Sequence, residues 1–132
     1  MPSLKPNGKR LNGTGSGWIS KAGRLSVYLR DGFRCVYCER DLSAAPAREV
    51  SLDHVTPQCQ GGTHEPGNLV LSCVRCNSRR QHRSVRDFAG AEGVRRVRNA
   101  TRRKPNLSLA RAILRGDAPA VEARPCAHLA TR

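Results

Sequence analysis

Four cysteines and one Asp-His pair carry the chemistry this sequence offers. Cys35-Val36-Tyr37-Cys38 and Cys73-Val74-Arg75-Cys76 each set two thiols three residues apart, and Val50-Ser51-Leu52-Asp53-His54-Val55-Thr56-Pro57 lies between them. Paired thiolate knuckles are the usual way to build a closed tetrahedral Zn²⁺ site. The binding energy of that ion can hold together a core too small to fold alone. Two disulfides are the competing use of the same residues. A carboxylate beside an imidazole on one short strand is a different matter, because packing rarely needs both. The pattern therefore divides the labour: zinc staples the scaffold, and Asp53 and His54 do the chemistry.

The composition sets bounds on what surrounds these groups. A chain of 132 residues is expected to form one domain with tails. Rings are scarce, with Trp18, Tyr28, Phe33, Tyr37 and Phe88 the only Trp, Tyr or Phe residues, so little apolar area is available per residue and a metal staple gains weight. Twenty-four Lys and Arg against ten Asp and Glu give a net charge of +14, which points to a polyanionic partner, nucleic acid first. No apolar run is long enough to span a bilayer, and the N-terminal segment lacks the apolar stretch of a signal peptide. The expectation is a cytoplasmic protein with no membrane partner. In a reducing cytoplasm Cys-x-x-Cys pairs favour metal over disulfide.

The elements that position the chemistry follow from local signals. Residues 1–17, with Pro2, Pro6, four glycines and Lys5, Lys9 and Arg10, read as a flexible basic arm. Ser20 is a natural N-cap for a helix from Lys21 to Arg30 with Leu25, Tyr28 and Leu29 on its apolar stripe, and Asp31-Gly32 stops it. Val50 to Val55 alternates as a strand, placing His54 on one face and Asp53 on the other. Gln60-Gly61-Gly62-Thr63 marks a turn, Asn68 to Leu71 a return strand, and Cys76 to about Arg83 a helix. Ser84-Val85-Arg86-Asp87 is a capping box with Asp in place of Glu and opens a further helix, whose length Gly90 and Gly93 leave open. Ser108 to Arg115, closed by Gly116, is another. The resulting division is an arm at 1–17, a core with its preceding helix at 18–83, a basic helical extension at 84–116 and a disordered tail at 117–132.

With those phrases in order, the chain resembles the HNH endonucleases from about Arg30 to Arg80. Arg-Asp-Gly before Cys-x-Tyr-Cys, then Leu-Asp-His-Val-x-Pro, Gly-Gly, Asn-Leu-Val-Leu and Cys-x-x-Cys-Asn are each weak alone and specific together. The resemblance implies an α+β fold, a small ββα-metal (HNH, or His-Me finger) core stapled by a four-Cys zinc site and flanked by short helices. It implies metal-dependent hydrolysis of phosphodiester bonds in DNA. By the same resemblance His54 is the general base on water, Asn68 holds that base in place, and Asp53 and Asn77 hold the catalytic divalent metal. Asp53 and His54 alternate in face, so a kink or bulge at the strand end is expected to aim both at one phosphate. Position 77 is Asn where the family's name has its final His. A carboxylate and an amide oxygen form a hard, sparse donor set, which suits Mg²⁺ or Mn²⁺. Small stand-alone members of the family are often phage-encoded, so host cytoplasm and DNA-packaging or other DNA-processing partners are family-level expectations.

Each residue also has a plainer use. His54 can be a hydrogen-bonded structural histidine, Asn68 a strand cap and Asn77 a helix-start residue. Cys59 and Cys126 have no partner at metal spacing and are read as loop and tail residues, His64 as a solvated loop residue, His82 as an exposed helix residue within reach of phosphate, and His128 as tail. On an ideal helix Gln81 would lie one turn beyond Asn77, whereas His82 would fall to one side. Arg75, Arg79, Arg80 and Arg83 crowd the second knuckle and are expected to bind DNA phosphates without reading sequence. The rival reading from another class is a non-catalytic zinc-knuckle module that binds nucleic acid by charge. A zinc-stabilised adaptor for a larger acidic protein is a third.

Overall fold

The computed structural model describes residues 19–117. The expected arm at 1–17, Trp18 and the expected tail beyond Asp117, with Cys126 and His128, lie outside the described residues. The first helix, α1, runs Lys21–Arg30, and the Ser20 side chain accepts from the Gly23 N–H at 2.9 Å. It ends at Asp31 for a reason beyond the Gly32 turn. The Asp31 carboxylate takes the Arg30 Nε–H at 2.7 Å and the Leu71 N–H at 2.8 Å. Arg30 in turn donates to the carbonyls of Pro66 and Leu69. This pair, nearly excluded from solvent, ties the helix end to the strand that follows the site loop.

Two strands make the sheet. β1 is Val50–His54 and β2 is Leu69–Cys73, antiparallel from Val50↔Cys73 to His54↔Leu69. All of β2 is buried, and the first knuckle docks on it through Val36 N–H to Leu71 O at 2.9 Å. A two-stranded ribbon is marginal in water. Here helices cover it and the four cysteines draw together at one end.

α2 (Val74–Arg80) follows β2 without a loop, with the Cys73 sulfur as its cap. It starts before the expected Cys76 and stops at Arg80, because Gln81 turns to φ 54. α3 (Val85–Thr101) is capped by Ser84, which accepts from Asp87 N–H at 3.0 Å. Gly90 interrupts it at φ 73, a conformation that glycine adopts without a Cβ penalty. α4 (Leu107–Arg115) packs on α1 and ends at Gly116. Val85, Val97, Ala100, Ala110 and Ile113 of these last helices join Leu25, Tyr28, Leu42, Val50, Leu69 and Leu71 in one apolar cluster. The basic segment 84–116 is thus a wall of the core. No helix among the described residues is long and apolar enough to cross a membrane.

Candidate active site

The sheet has a sulfur end. Cys35, Cys38, Cys73 and Cys76 bring their Sγ atoms within 4.8 Å of one another, and Cys38 and Cys73 are 3.9 Å apart. Four sulfurs placed tetrahedrally at a Zn–S distance of about 2.3 Å would sit roughly 3.8 Å apart, so the donor set fits that ion. In each knuckle a backbone N–H points at a sulfur: Cys38 to Cys35 and Cys76 to Cys73, both at 3.4 Å. Burial opposes ionisation of Cys35, but N–H groups of Cys38, Cys73 and Tyr37 outweigh it and lower its pKa. Burial and the neighbouring sulfurs push Cys38 and Cys76 up. Crowded thiolates repel, and a divalent cation reverses that balance.

The other end of the same strands carries Asp53 and His54. Pairing is regular through Asp53↔Val70 and His54↔Leu69, so the expected kink or bulge is absent. None is needed. A cavity of about 330 Å³ wraps the strand end and is lined by Asp53, His54, Pro57, Gln58, Cys59, Asn77, Gln81 and His82. Three of the expected site residues, Asp53, His54 and Asn77, therefore share one hollow.

Asn68 acts one step back from the cavity. Its Oδ1 accepts from Thr56 N–H at 2.8 Å, and its Nδ2 donates to the carbonyls of Thr56 and Thr63 at 3.0 and 2.9 Å. It pins both limbs of the loop between the strands, and with them His54 on one side and His64 on the other. Gly62 allows that closure: a Cβ there would stand 1.7 Å from the Thr56 carbonyl oxygen. His64 is not a solvated loop residue, as its sequence position suggested. Its Nδ1 lies 3.0 Å from His54 Nε2, and Gln58 reaches its other nitrogen at 3.1 Å. Burial, and then the neighbouring His64, lower the His54 pKa, with Asp53 opposing.

Asn77 is oriented by Ser51, whose Oγ receives its Nδ2–H at 3.0 Å. That bond leaves the amide oxygen as the acceptor offered to the cavity. Because α2 ends at Arg80, the ideal-helix argument for Gln81 and His82 does not apply. The turn at Gln81 brings both residues to the cavity, and His82 Nδ1 lies 3.6 Å from Cys59 Sγ.

Arg80 corrects the sequence reading most sharply. Only 1% of it is exposed, so it cannot be a phosphate contact. Its Nη1 donates to Asp53 Oδ2 at 2.9 Å and to His54 O at 2.8 Å, and its Nη2 donates to Val55 O at 2.6 Å. The Tyr37 hydroxyl donates to the same Asp53 oxygen at 2.5 Å. Burial and the Asp53 charge push the Tyr37 pKa far up, so it remains a donor. Phe88 packs edge-to-face on Tyr37, and the Arg83 guanidinium lies over Phe88. The sequence held a signal for this. Arg80 is four residues after Cys76, hence on the same buried face of a helix.

Arg75 and Arg79 are exposed and, with Arg40 and Arg48, line a second hollow of about 700 Å³ beside the cysteines. Arg83 is exposed but also donates to Arg79 O. Arg96 is turned inward onto the carbonyls of Val36 and Tyr37. The net charge therefore overstates the cationic surface, since several guanidiniums hold the backbone.

The strands, the following helix and the clustered cysteines define a ββα-metal scaffold. Residues 35–83 match the family model described as HNH endonuclease, and over that segment the chain is similar to the family. No curated protein and no solved structure matches the chain.

Proposed function

We propose that the protein is a metal-dependent endonuclease that hydrolyses phosphodiester bonds in DNA, with zinc held by Cys35, Cys38, Cys73 and Cys76. The observation that carries this reading is the shared cavity of Asp53, His54 and Asn77 on a scaffold of HNH type. Its donors, one carboxylate and one amide oxygen, fit a hard cation such as Mg²⁺ or Mn²⁺. A cation bound there would stabilise charge building on the phosphate and on the leaving 3′ oxygen.

The chain's own groups do the rest. His54 takes the proton from the attacking water as the new O–P bond forms and the P–O3′ bond breaks, and the leaving 3′ oxygen takes its proton from solvent. The 3.0 Å contact between His54 Nε2 and His64 Nδ1 fixes the orientation of the His54 ring. Asn68 holds the loop that carries both rings. Arg75 and Arg79 fix flanking phosphates without reading bases.

One observation favours the rival, a non-catalytic nucleic-acid-binding module: the ion pair with Arg80 gives Asp53 a structural use. Neither the oriented Asn77 nor the His54–His64 pair is needed by that module. Supercoiled plasmid incubated with the protein and Mg²⁺ or Mn²⁺ decides between them. Nicked or linear product that disappears in His54→Ala supports the nuclease, and retention of uncut plasmid by the parent protein supports the rival.

A further inference from the structure

The Tyr37–Arg80–Asp53 cluster limits how a cation can enter the cavity. Resting on the nuclease reading above, we propose that Arg80 neutralises Asp53, so that the cavity holds a divalent cation firmly only together with a phosphodiester of the DNA. Cation and substrate then bind with positive coupling.

Among the described residues that line the cavity, Asp53 is the only carboxylate. Its Oδ2 already bears the Arg80 guanidinium and the Tyr37 hydroxyl. Arg80 is shielded from water, so no solvent lies between its guanidinium and Asp53 to screen the pair. Asn77 contributes only a dipole. The one carboxylate charge beside the cavity is matched by the guanidinium bound to it at 2.9 Å. Mg²⁺ and Mn²⁺ are held by charged oxygens, and a site with one carboxylate normally borrows substrate phosphate to complete its set. Here even that carboxylate is compensated. The phosphate must bring the missing negative charge.

Arg80 is thus a positioning residue, because it does not line the cavity. It also anchors the end of β1 through the carbonyls of His54 and Val55. By linkage, whatever factor DNA adds to cation affinity, the cation adds to DNA affinity.

The test uses the full chain, zinc-loaded, carrying His54→Ala so that DNA stays intact, with Mn²⁺ alone as the probe. Free Mn²⁺ is followed by electron paramagnetic resonance with and without a short duplex. DNA alone and the complex of the His54→Ala, Asn77→Ala double variant give the background. Mn²⁺ should bind the complex about tenfold more tightly or better, and Mn²⁺ should raise DNA affinity by the same factor. Equal Mn²⁺ affinity with and without DNA overturns the proposal.

Arg80→Met then separates charge from scaffolding. Removing the guanidinium should tighten Mn²⁺ binding to the DNA-free protein and shrink the coupling, whereas a residue of purely structural value would show no such gain. Should Arg80→Met not fold, Tyr37→Phe serves, since it deletes a hydrogen bond but no charge. Its coupling should match the parent's, and loss of coupling there overturns the charge argument. If the parent protein does not cut DNA, or if His54→Ala cuts it as fast as the parent, the nuclease reading of this site falls and takes this inference with it. If His54→Ala is inert and Mn²⁺ uncoupled, only this inference falls.

Discussion

The two ends of one strand pair are built from opposite chemistry. Where Val50 meets Cys73, four sulfurs crowd together with backbone N–H groups aimed at them. Where His54 meets Leu69, an open hollow is lined by one carboxylate, Asp53, by the amides of Gln58, Asn77 and Gln81, by the Cys59 thiol and by the imidazoles of His54 and His82. Soft thiolates complete a zinc shell and leave no position for substrate. Hard, few donors leave most of the shell to water and phosphate. One end is closed and suited to hold the fold, and the other is open and, in the proposed function, meets the substrate. The 5 residues of β1 separate them, so a zinc ion at the sulfur end would fix the geometry of the cavity without taking part in it.

The largest effect should come from breaking the closed end. Cys73→Ser should leave the chain without its zinc and unfolded, since such an ion contributes on the order of 10 kcal/mol in small zinc domains. Elemental analysis and circular dichroism check this, and a soluble, folded Cys73→Ser protein would refute it. Next comes the ion pair that supports the open end. Arg80→Ala should cost about 3–5 kcal/mol of stability, the usual result of stranding a buried charge. A melting temperature unchanged from the parent would mean that Asp53 does not depend on Arg80.

His54→Ala should sharpen the contrast, because it should lower cleavage by about a hundredfold or more while zinc content and melting stay near the parent's. Asn77→His should move the cation ranking away from Mg²⁺ toward Ni²⁺, Zn²⁺ or Co²⁺. Cleavage measured across a metal series checks that, and an unaltered ranking would remove Asn77 from the metal site. The smallest effect belongs to the surface. Arg79→Ala should weaken binding to all DNA sequences alike and reduce the salt slope by about one phosphate contact. A sequence-dependent loss would instead make Arg79 a base reader.

The same comparison explains what could be read from the sequence. The closed end is specified by identity and spacing, because two Cys-x-x-Cys knuckles leave few other uses. Local caps were equally legible: Ser20, Ser84 and Gly116 each bound a helix where their chemistry requires. The open end was legible only as a set of residues. Asp53, His54 and Asn77 share the cavity, but alternation along β1 suggested a bulge that the cavity's shape makes unnecessary. Arg80 looked like one of several basic surface residues, because sequence shows charge and hides burial. The long-range contacts were invisible for the same reason. His64 reaches His54 only because Asn68 closes the loop, and Tyr37 reaches Asp53 only because the knuckle folds across the sheet.

The account rests on the two ends being separable, and one measurement addresses that directly. Protein holding about one zinc per chain is stripped of other divalent ions, then assayed on supercoiled plasmid while Mg²⁺ is added back, with zinc content determined on the same samples. Cleavage should be absent without added Mg²⁺ and return with it, at constant zinc and constant fold. Cleavage that persists without added cation, or that rises and falls with the zinc content alone, would contradict the division between a closed structural end and an open catalytic one.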